Sequence, residues 1–245
     1  MSGPHAAGVR WATSLVATVV ALSLGLSACG GSSYRYIKSS DDSAYFKVPT
    51  KWTAYNTRDL VLAEAQVNEQ LGRPQSVDDM RLNAALNWRV GFDSSPNPSP
   101  INVVVAYSDK LVVDVRVRAL LPDERQNVTV DNLRNLSIPV DQLAQQQAEA
   151  DQGKPPSLSI NKDFEVRVNQ EIAKPGGYHG LQTIVNVRAP DPDNRVFVFN
   201  QIALLDANNT KLYVLSIHCE TICYAQNQGT VQKIVDSFTL QKKKK

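Results

Sequence analysis

The sequence predicts an α+β domain built on a largely antiparallel sheet, and three observations carry that expectation. Strand-like segments rich in valine or alternating in polarity follow one another along most of the chain. Only three helical stretches interleave with them, too few for a regular βαβ alternation. With 245 residues, 42% hydrophobic and 20% charged, the chain has ample material for a core and is neither disordered nor collagen-like.

The N-terminal segment reads as a targeting signal. Residues 1–28 hold one charged side chain, Arg10, ahead of the apolar run Leu15 to Leu26. That run is about 12 residues, roughly 18 Å as a helix, which is short of the ~30 Å hydrocarbon core. It is therefore expected to be the apolar region of a signal peptide rather than a spanning helix. Leu26-Ser27-Ala28-Cys29 resembles the lipobox of bacterial lipoproteins. The resemblance implies cleavage before Cys29, diacylglycerol on its sulfur and an N-acyl chain such as palmitate on its amine. A thiol is the nucleophile such a transfer requires, and two acyl signals make anchoring stable where one is marginal. The polar residues 29–43 are expected to form a flexible tether spanning at most ~50 Å.

Residues 44–241 are expected to be the folded domain. Strand signals fall at Tyr45 to Val48, Leu86 to Phe92, Ile101 to Tyr107, Leu111 to Leu120 and Phe164 to Ile172. Three more follow at Leu181 to Val187, Val196 to Leu205 and Leu212 to Ile217. The last two flank Asp206 to Thr210, a short polar hairpin loop. Helices are predicted over Asp59 to Leu71, stopped by Gly72 and Pro74; over Val140 to Ala150, polar on most faces; and over Gly229 to Phe238. In the last of these Val231, Ile234, Val235 and Phe238 form one apolar stripe. Lys242 to Lys245 form a basic tail, which is either solvated or within reach of anionic lipid heads.

Charge and motifs exclude several function classes. The formal net charge is +2, from 26 basic and 24 acidic residues. Without Arg10 and the four terminal lysines, 21 basic residues stand against 24 acidic ones, so the domain is mildly acidic. Nucleic-acid recognition needs a concentrated basic face, which this is not. His-Glu-x-x-His, Gly-x-Ser-x-Gly and the phosphate-cradling glycine motif are all absent. Ser159-Ile160-Asn161-Lys162 matches Ser-x-x-Lys of penicillin-recognising enzymes, but Lys-Thr-Gly is missing and Ser159 precedes a strand rather than opening a helix. His179 lies in a glycine-rich turn, and Arg116 and Arg118 alternate with valines as the solvent face of a strand. Two adjacent guanidiniums there suit an anionic ligand.

Cys219 and Cys223 have two readings. With His218 beside them they could ligate a metal; exported, and with Cys29 lipidated, they form an even pair suited to a disulfide. In an extended strand their Cα atoms would lie roughly 13 Å apart, beyond bridging distance, so a disulfide requires the chain to turn between them.

Phe46-Lys47-Val48-Pro49-Thr50-Lys51-Trp52 and Ile234-Val235-Asp236-Ser237-Phe238-Thr239-Leu240, with the hairpin before the latter, resemble the PsbP-like superfamily and its LpqN-type bacterial lipoproteins. Lys51 stands where a glycine is usual in that family. The resemblance implies a single α/β/α sandwich around a curved, mainly antiparallel sheet, and a non-catalytic binding or assembly role. The expected function is a lipid-anchored module on the extracytoplasmic face of the cell membrane, binding an envelope protein or a small molecule, with no cofactor or metal. The alternative is an envelope hydrolase acting on cell-wall or lipid esters.

Overall fold

A computed structural model describes residues 33–41, 43–152, 164–189 and 193–241. Cys29, the terminal lysines and the Ser159-x-x-Lys segment lie outside the described residues. Two antiparallel sheets organise the fold. The smaller consists of β1 (Tyr34–Lys38), β2 (Ala44–Pro49) and β10 (Thr239–Leu240), with β2 in the middle. The larger has the order β3-β4-β5-β9-β8-β7-β6. Its members are β3 (Thr53–Asn56), β4 (Asn87–Asp93), β5 (Val112–Ala119), β6 (Glu165–Lys174), β7 (Tyr178–Arg188), β8 (Val196–Leu205) and β9 (Lys211–Glu220). The protein is an α+β sandwich.

Strands β8 and β9 are buried along almost their whole length because both faces of the large sheet are covered. Alternate residues therefore serve two different cores. On the first face Val113, Val115, Ile202, Leu204, Leu215 and Ile217 meet β2 and α7 (Gln228–Ser237) through Phe46, Val48, Ile234 and Phe238. Phe46 stands edge-on to Phe92 at 6.0 Å and to Phe238 at 6.5 Å, which joins the small sheet, the large sheet and the helix end. On the second face Leu181, Leu205 and Val214 pack on Leu120 and Leu133, and Phe197 and Phe199 pack on Ile138 and Val140.

The second face is also covered by α1 (Thr57–Gln70) and α3 (Pro100–Val104). Asn56 opens α1 with a reciprocal cap, its side chain accepting from Arg58 N and Asp59 N while Asp59 accepts from Asn56 N. Gly91 on β4 is where these helices approach the sheet. A Cβ there would lie 2.7 Å from Val103 Cγ1 and 3.0 Å from Leu60 Cδ2, so only glycine lets α1 and α3 seat at this depth.

The structure corrects two sequence expectations. Residues 34–38 of the expected tether form strand β1, paired along its length with β2, so the fold begins before residue 44. The Ile101 to Tyr107 segment is not a strand. Ser99 accepts a hydrogen bond from Ile101 N, Pro100 occupies the first turn, and a short helix results. Its valines pack down on the sheet instead of extending it. The sequence left unassigned α2 (Val77–Leu86), which buries no residue, α4 (Pro122–Asn127), a 3-10 turn at Asp131–Asn135 and the short strands β3 and β10, whereas α6 (Thr221–Gln226) supplies the turn that a Cys219–Cys223 disulfide requires. The helices predicted over Asp59 to Leu71 and Val140 to Ala150 are present as α1 and α5 (Val140–Asp151).

Two glycine substitutions separate packing from propensity. Gly91→Ala is expected to lower unfolding free energy by about 1–3 kcal/mol through overpacking. Gly229→Ala in α7, with nothing within 4 Å of its added Cβ, should leave stability unchanged or raise it by up to ~1 kcal/mol. Urea unfolding of both variants checks the pair.

Candidate functional site

The register of the large sheet assembles a polar cluster on its second face. Arg89 on β4 stands directly opposite Arg116 on β5. One step along, Asp114 faces Ser216 on β9, and Ser216 faces Gln201 on β8; the next row brings together Val112, His218 and Phe199. Two guanidiniums side by side repel, and like charges at opposed positions destabilise a sheet. Asp114 resolves this. Arg89 donates through Nε to Asp114 Oδ1 and through Nη2 to Oδ2, each at 2.9 Å, and Arg116 Nη2 donates to Oδ2 at 3.0 Å. Arg89 Nη1 reaches Glu64 of α1 at 2.8 Å, which ties the helix to the sheet.

The result is an alternating chain of charges, Glu64–Arg89–Asp114–Arg116. Burial pushes the Asp114 carboxyl up, but the two guanidiniums and their hydrogen bonds more than reverse this, so it titrates below the usual carboxylate range. Arg89 is affected in the mirror sense: burial alone would lower it, and the two carboxylates hold it protonated.

This cluster lines a cavity of about 180 Å³, with Val103 to Ala106, Leu136, Ser137 and Phe199 completing its wall. His218 lies in it, 5% exposed and stacked on Phe199 at 5.0 Å. Its Nε2 is 3.1 Å from Val105 O. A carbonyl only accepts, so Nε2 carries the proton and Nδ1 presents a lone pair, which has no hydrogen-bond partner. Burial lowers the His218 pKa to about 4, opposed in part by the Val105 hydrogen bond and the Asp114 charge, so the ring is neutral at pH 7.

Ser216, His218 and Asp114 share this cavity, yet they form no nucleophile–base–acid relay. Ser216 Oγ is 3.2 Å from Ser137 Oγ, which donates to Gln201 at 2.6 Å. Asp114 is committed to arginines, and neither nitrogen of His218 meets it or Ser216. A relay needs both of those hydrogen bonds.

The structure separates the other residues singled out in the sequence. Cys219 and Cys223 are joined by a disulfide, with Cα atoms 6.1 Å apart, because the chain turns from β9 into α6 between them. His218 points to the second face and Cys219 to the first, as neighbours on a strand must, so the three do not converge on one metal. His179 sits at the β6–β7 turn with Nδ1 near Gly177 O, apart from the polar cluster. Arg116 and Arg118 are half-buried rather than on an open solvent face; Arg118 pairs with Glu124 of α4. Glu64, Arg89 and Asp114 were not singled out from the sequence. A signal was present in charged residues set among apolar ones, as in Trp88-Arg89-Val90 and Val113-Asp114-Val115.

A second concavity of about 340 Å³ lies on the first face, between β6–β8 and helices α6 and α7. Gln182, Asn200, Tyr224, Gln228 and Arg167 line it, and Asn200 Nδ2 donates to Tyr224 Oη at 2.9 Å.

No family model matches the chain, and no curated protein does. Among solved structures it is similar to cyanobacterial PsbP (CyanoP) from Synechocystis, with 17% identity and a TM-score of 0.40 over 88% of this chain and 99% of that one. It is also similar to LpqN of Mycobacterium tuberculosis, described as involved in cell envelope biogenesis, with 10% identity and a TM-score of 0.42 over 85% and 91% of the two chains. A third, the Ran-binding protein Mog1p of Saccharomyces cerevisiae, has 10% identity and a TM-score of 0.37 over 84% and 95%. The likeness is one of outline.

Removing the shared carboxylate leaves two facing guanidiniums uncompensated. Asp114→Asn is expected to cost about 3–5 kcal/mol in urea unfolding at neutral pH. His218 contributes to the acid limb of stability. An unfolded imidazole titrates near 6.5, whereas the folded one waits until about 4. The unfolded chain therefore binds the proton first, and stability that is full above pH 6.5 falls by about 3 kcal/mol as the pH drops to about 4. In His218→Gln, unfolding free energies measured across this range should lose that slope; an unchanged slope would assign it to other groups.

Proposed function

We propose that this chain is a lipid-anchored module on the extracytoplasmic face of the cell membrane, which binds without catalysing. The observation that carries the binding half is the cavity itself. It offers buried donors and acceptors, including an unpaired imidazole nitrogen, but no hydrogen-bonded relay through which a serine could be activated. A small molecule suits a concavity of this size better than a protein segment does.

The anchoring half rests on the sequence. Leu26-Ser27-Ala28-Cys29 follows an apolar run too short to span a bilayer, which supports lipidation of Cys29. Among the described residues no helix is long and apolar enough to cross a membrane. Tyr34 begins the first strand, so the attachment point and the fold are five residues apart in the chain. A module anchored in this way works close to the membrane surface.

The hydrolase alternative meets a chemical obstacle in this cavity. Ser216 has no base, and a neutral imidazole of pKa about 4 without an orienting acid is a weak one.

Metabolic labelling with an alkyne-tagged palmitate tests the anchor: the native chain should be labelled and Cys29→Ala should not. Label retained in Cys29→Ala, or absent from both, contradicts it. A fluorophosphonate probe tests the absence of catalysis. No covalent adduct at Ser216 is expected, and an adduct there would restore the hydrolase.

A further inference from the structure

We infer that the second-face cavity takes a small zwitterion of the α-amino acid class, its carboxylate on Arg116 and its ammonium on Glu64. This inference rests on the reading of the chain as a binding module and names the ligand of that same site.

The charge chain Glu64–Arg89–Asp114–Arg116 has two inner and two outer members. Its two inner members are satisfied on both sides: Arg89 holds Glu64 and Asp114, and Asp114 holds Arg89 and Arg116. Its two outer members are each satisfied on one side only. Glu64 uses Oε2 toward Arg89, and its Oε1 has no hydrogen-bond partner among the described residues. Arg116 uses Nη2 toward Asp114, and its Nε is buried without a partner. The side chains of these two end members are both 33% exposed, against 6% for Arg89 and 10% for Asp114. The chain thus ends in one negative and one positive side chain, each one-third exposed, and Arg116 keeps an unpaired Nε–H that is itself buried in the cavity wall.

Charge balance selects among ligands. The two arginines and two carboxylates cancel, and His218 is neutral. A simple anion would leave the site with net negative charge beside Asp114 and Glu64, and a simple cation would face both guanidiniums. A zwitterion keeps the site neutral and satisfies both ends, closing the open chain of alternating charges into a ring. Carboxylate on guanidinium and ammonium on carboxylate are charge-assisted pairs, the stronger kind of hydrogen bond.

Size and lining agree with this. The cavity of about 180 Å³ has room for roughly six waters at their share of liquid volume, comparable to a small amino acid. Val105 and Phe199, also in the lining, offer apolar wall to a short side chain. The unpaired Nδ1 of His218 offers an acceptor to whatever donor the ligand carries inward.

Isothermal titration of the purified full chain at neutral pH, with three probes, tests the inference. L-alanine carries both charges, N-acetyl-L-alanine lacks the cation and L-alaninamide lacks the carboxylate. L-alanine is expected to bind, and each of the other two to bind at least tenfold more weakly. Glu64→Gln and Arg116→Gln, checked for folding by circular dichroism, should each weaken L-alanine to the level of the matching analogue. Equal binding of L-alanine and either analogue overturns the zwitterion while leaving a binding module in place. Failure of all three probes to bind native protein also overturns it. The module reading itself falls on covalent labelling of Ser216, a separate outcome.

Discussion

Asp114 is the charge on which the second face of the sheet depends. Strand pairing places Arg89 and Arg116 side by side, at roughly 5 Å between strands, where two unit charges repel by about 3 kcal/mol at an effective dielectric of 20. Each carboxylate–guanidinium pair near 4 Å returns about 4 kcal/mol on the same scale, and Asp114 makes two of them. Taking these groups out of water costs several kcal/mol per ion, so the network is no large net source of stability. Its effect is positional. It commits β4, β5 and, through Glu64, helix α1 to one arrangement, and Gly91 then lets α1 and α3 close over the sheet.

The same commitment shapes the chemistry of the cavity. A carboxylate spent on two guanidiniums cannot orient an imidazole, so His218 is held by a backbone carbonyl and by stacking on Phe199 instead. Serine, histidine and aspartate gather on one face because strand residues two apart point the same way, and that periodicity does not by itself connect them. Buried polar atoms without partners are uncommon in folded proteins and call for an explanation. In this cavity Arg116 Nε and His218 Nδ1 are two of them, one donor and one acceptor, on opposite sides of the chemistry a ligand would bring.

Much of the large sheet was legible in the sequence because β5, β8 and β9 are rich in valine, leucine and isoleucine and largely buried, while β7 alternates buried with half-buried positions as a strand with one wetter face does. The apolar stripe of α7 was legible for the related reason that one face must meet the small sheet. The elements that escaped notice lack such a stripe. Strand β1 is short and half-exposed, with Tyr36 open to solvent, and its Ser- and Asp-rich flanks give it the composition of a linker. Helix α2 buries nothing, and α3 has a valine-rich sequence suited to a strand but a serine–proline start that makes it helical. The site was hidden for a different reason. Glu64, Arg89, Asp114 and His218 come from four elements, and the bonds between them span at least 25 residues of chain, a distance over which local pattern carries no information. Of the residues in the cluster only Arg116 and His218 stood out beforehand, the first as one of a pair of strand arginines and the second as a neighbour of the cysteines. Both proved to belong to the cavity, though not with those neighbours.

A charge chain that is an open binding site responds to ligand at its outer members, whereas a closed structural clasp does not. Nitrogen-15 NMR of the arginine Nε–H groups in the full chain, followed as L-alanine is added, tests this directly. The open-chain account predicts that the Arg116 Nε–H resonance moves saturably, while that of Arg89, already bonded to Asp114, stays nearly still. An Arg116 resonance that does not respond, or an equal response from both arginines, would contradict it.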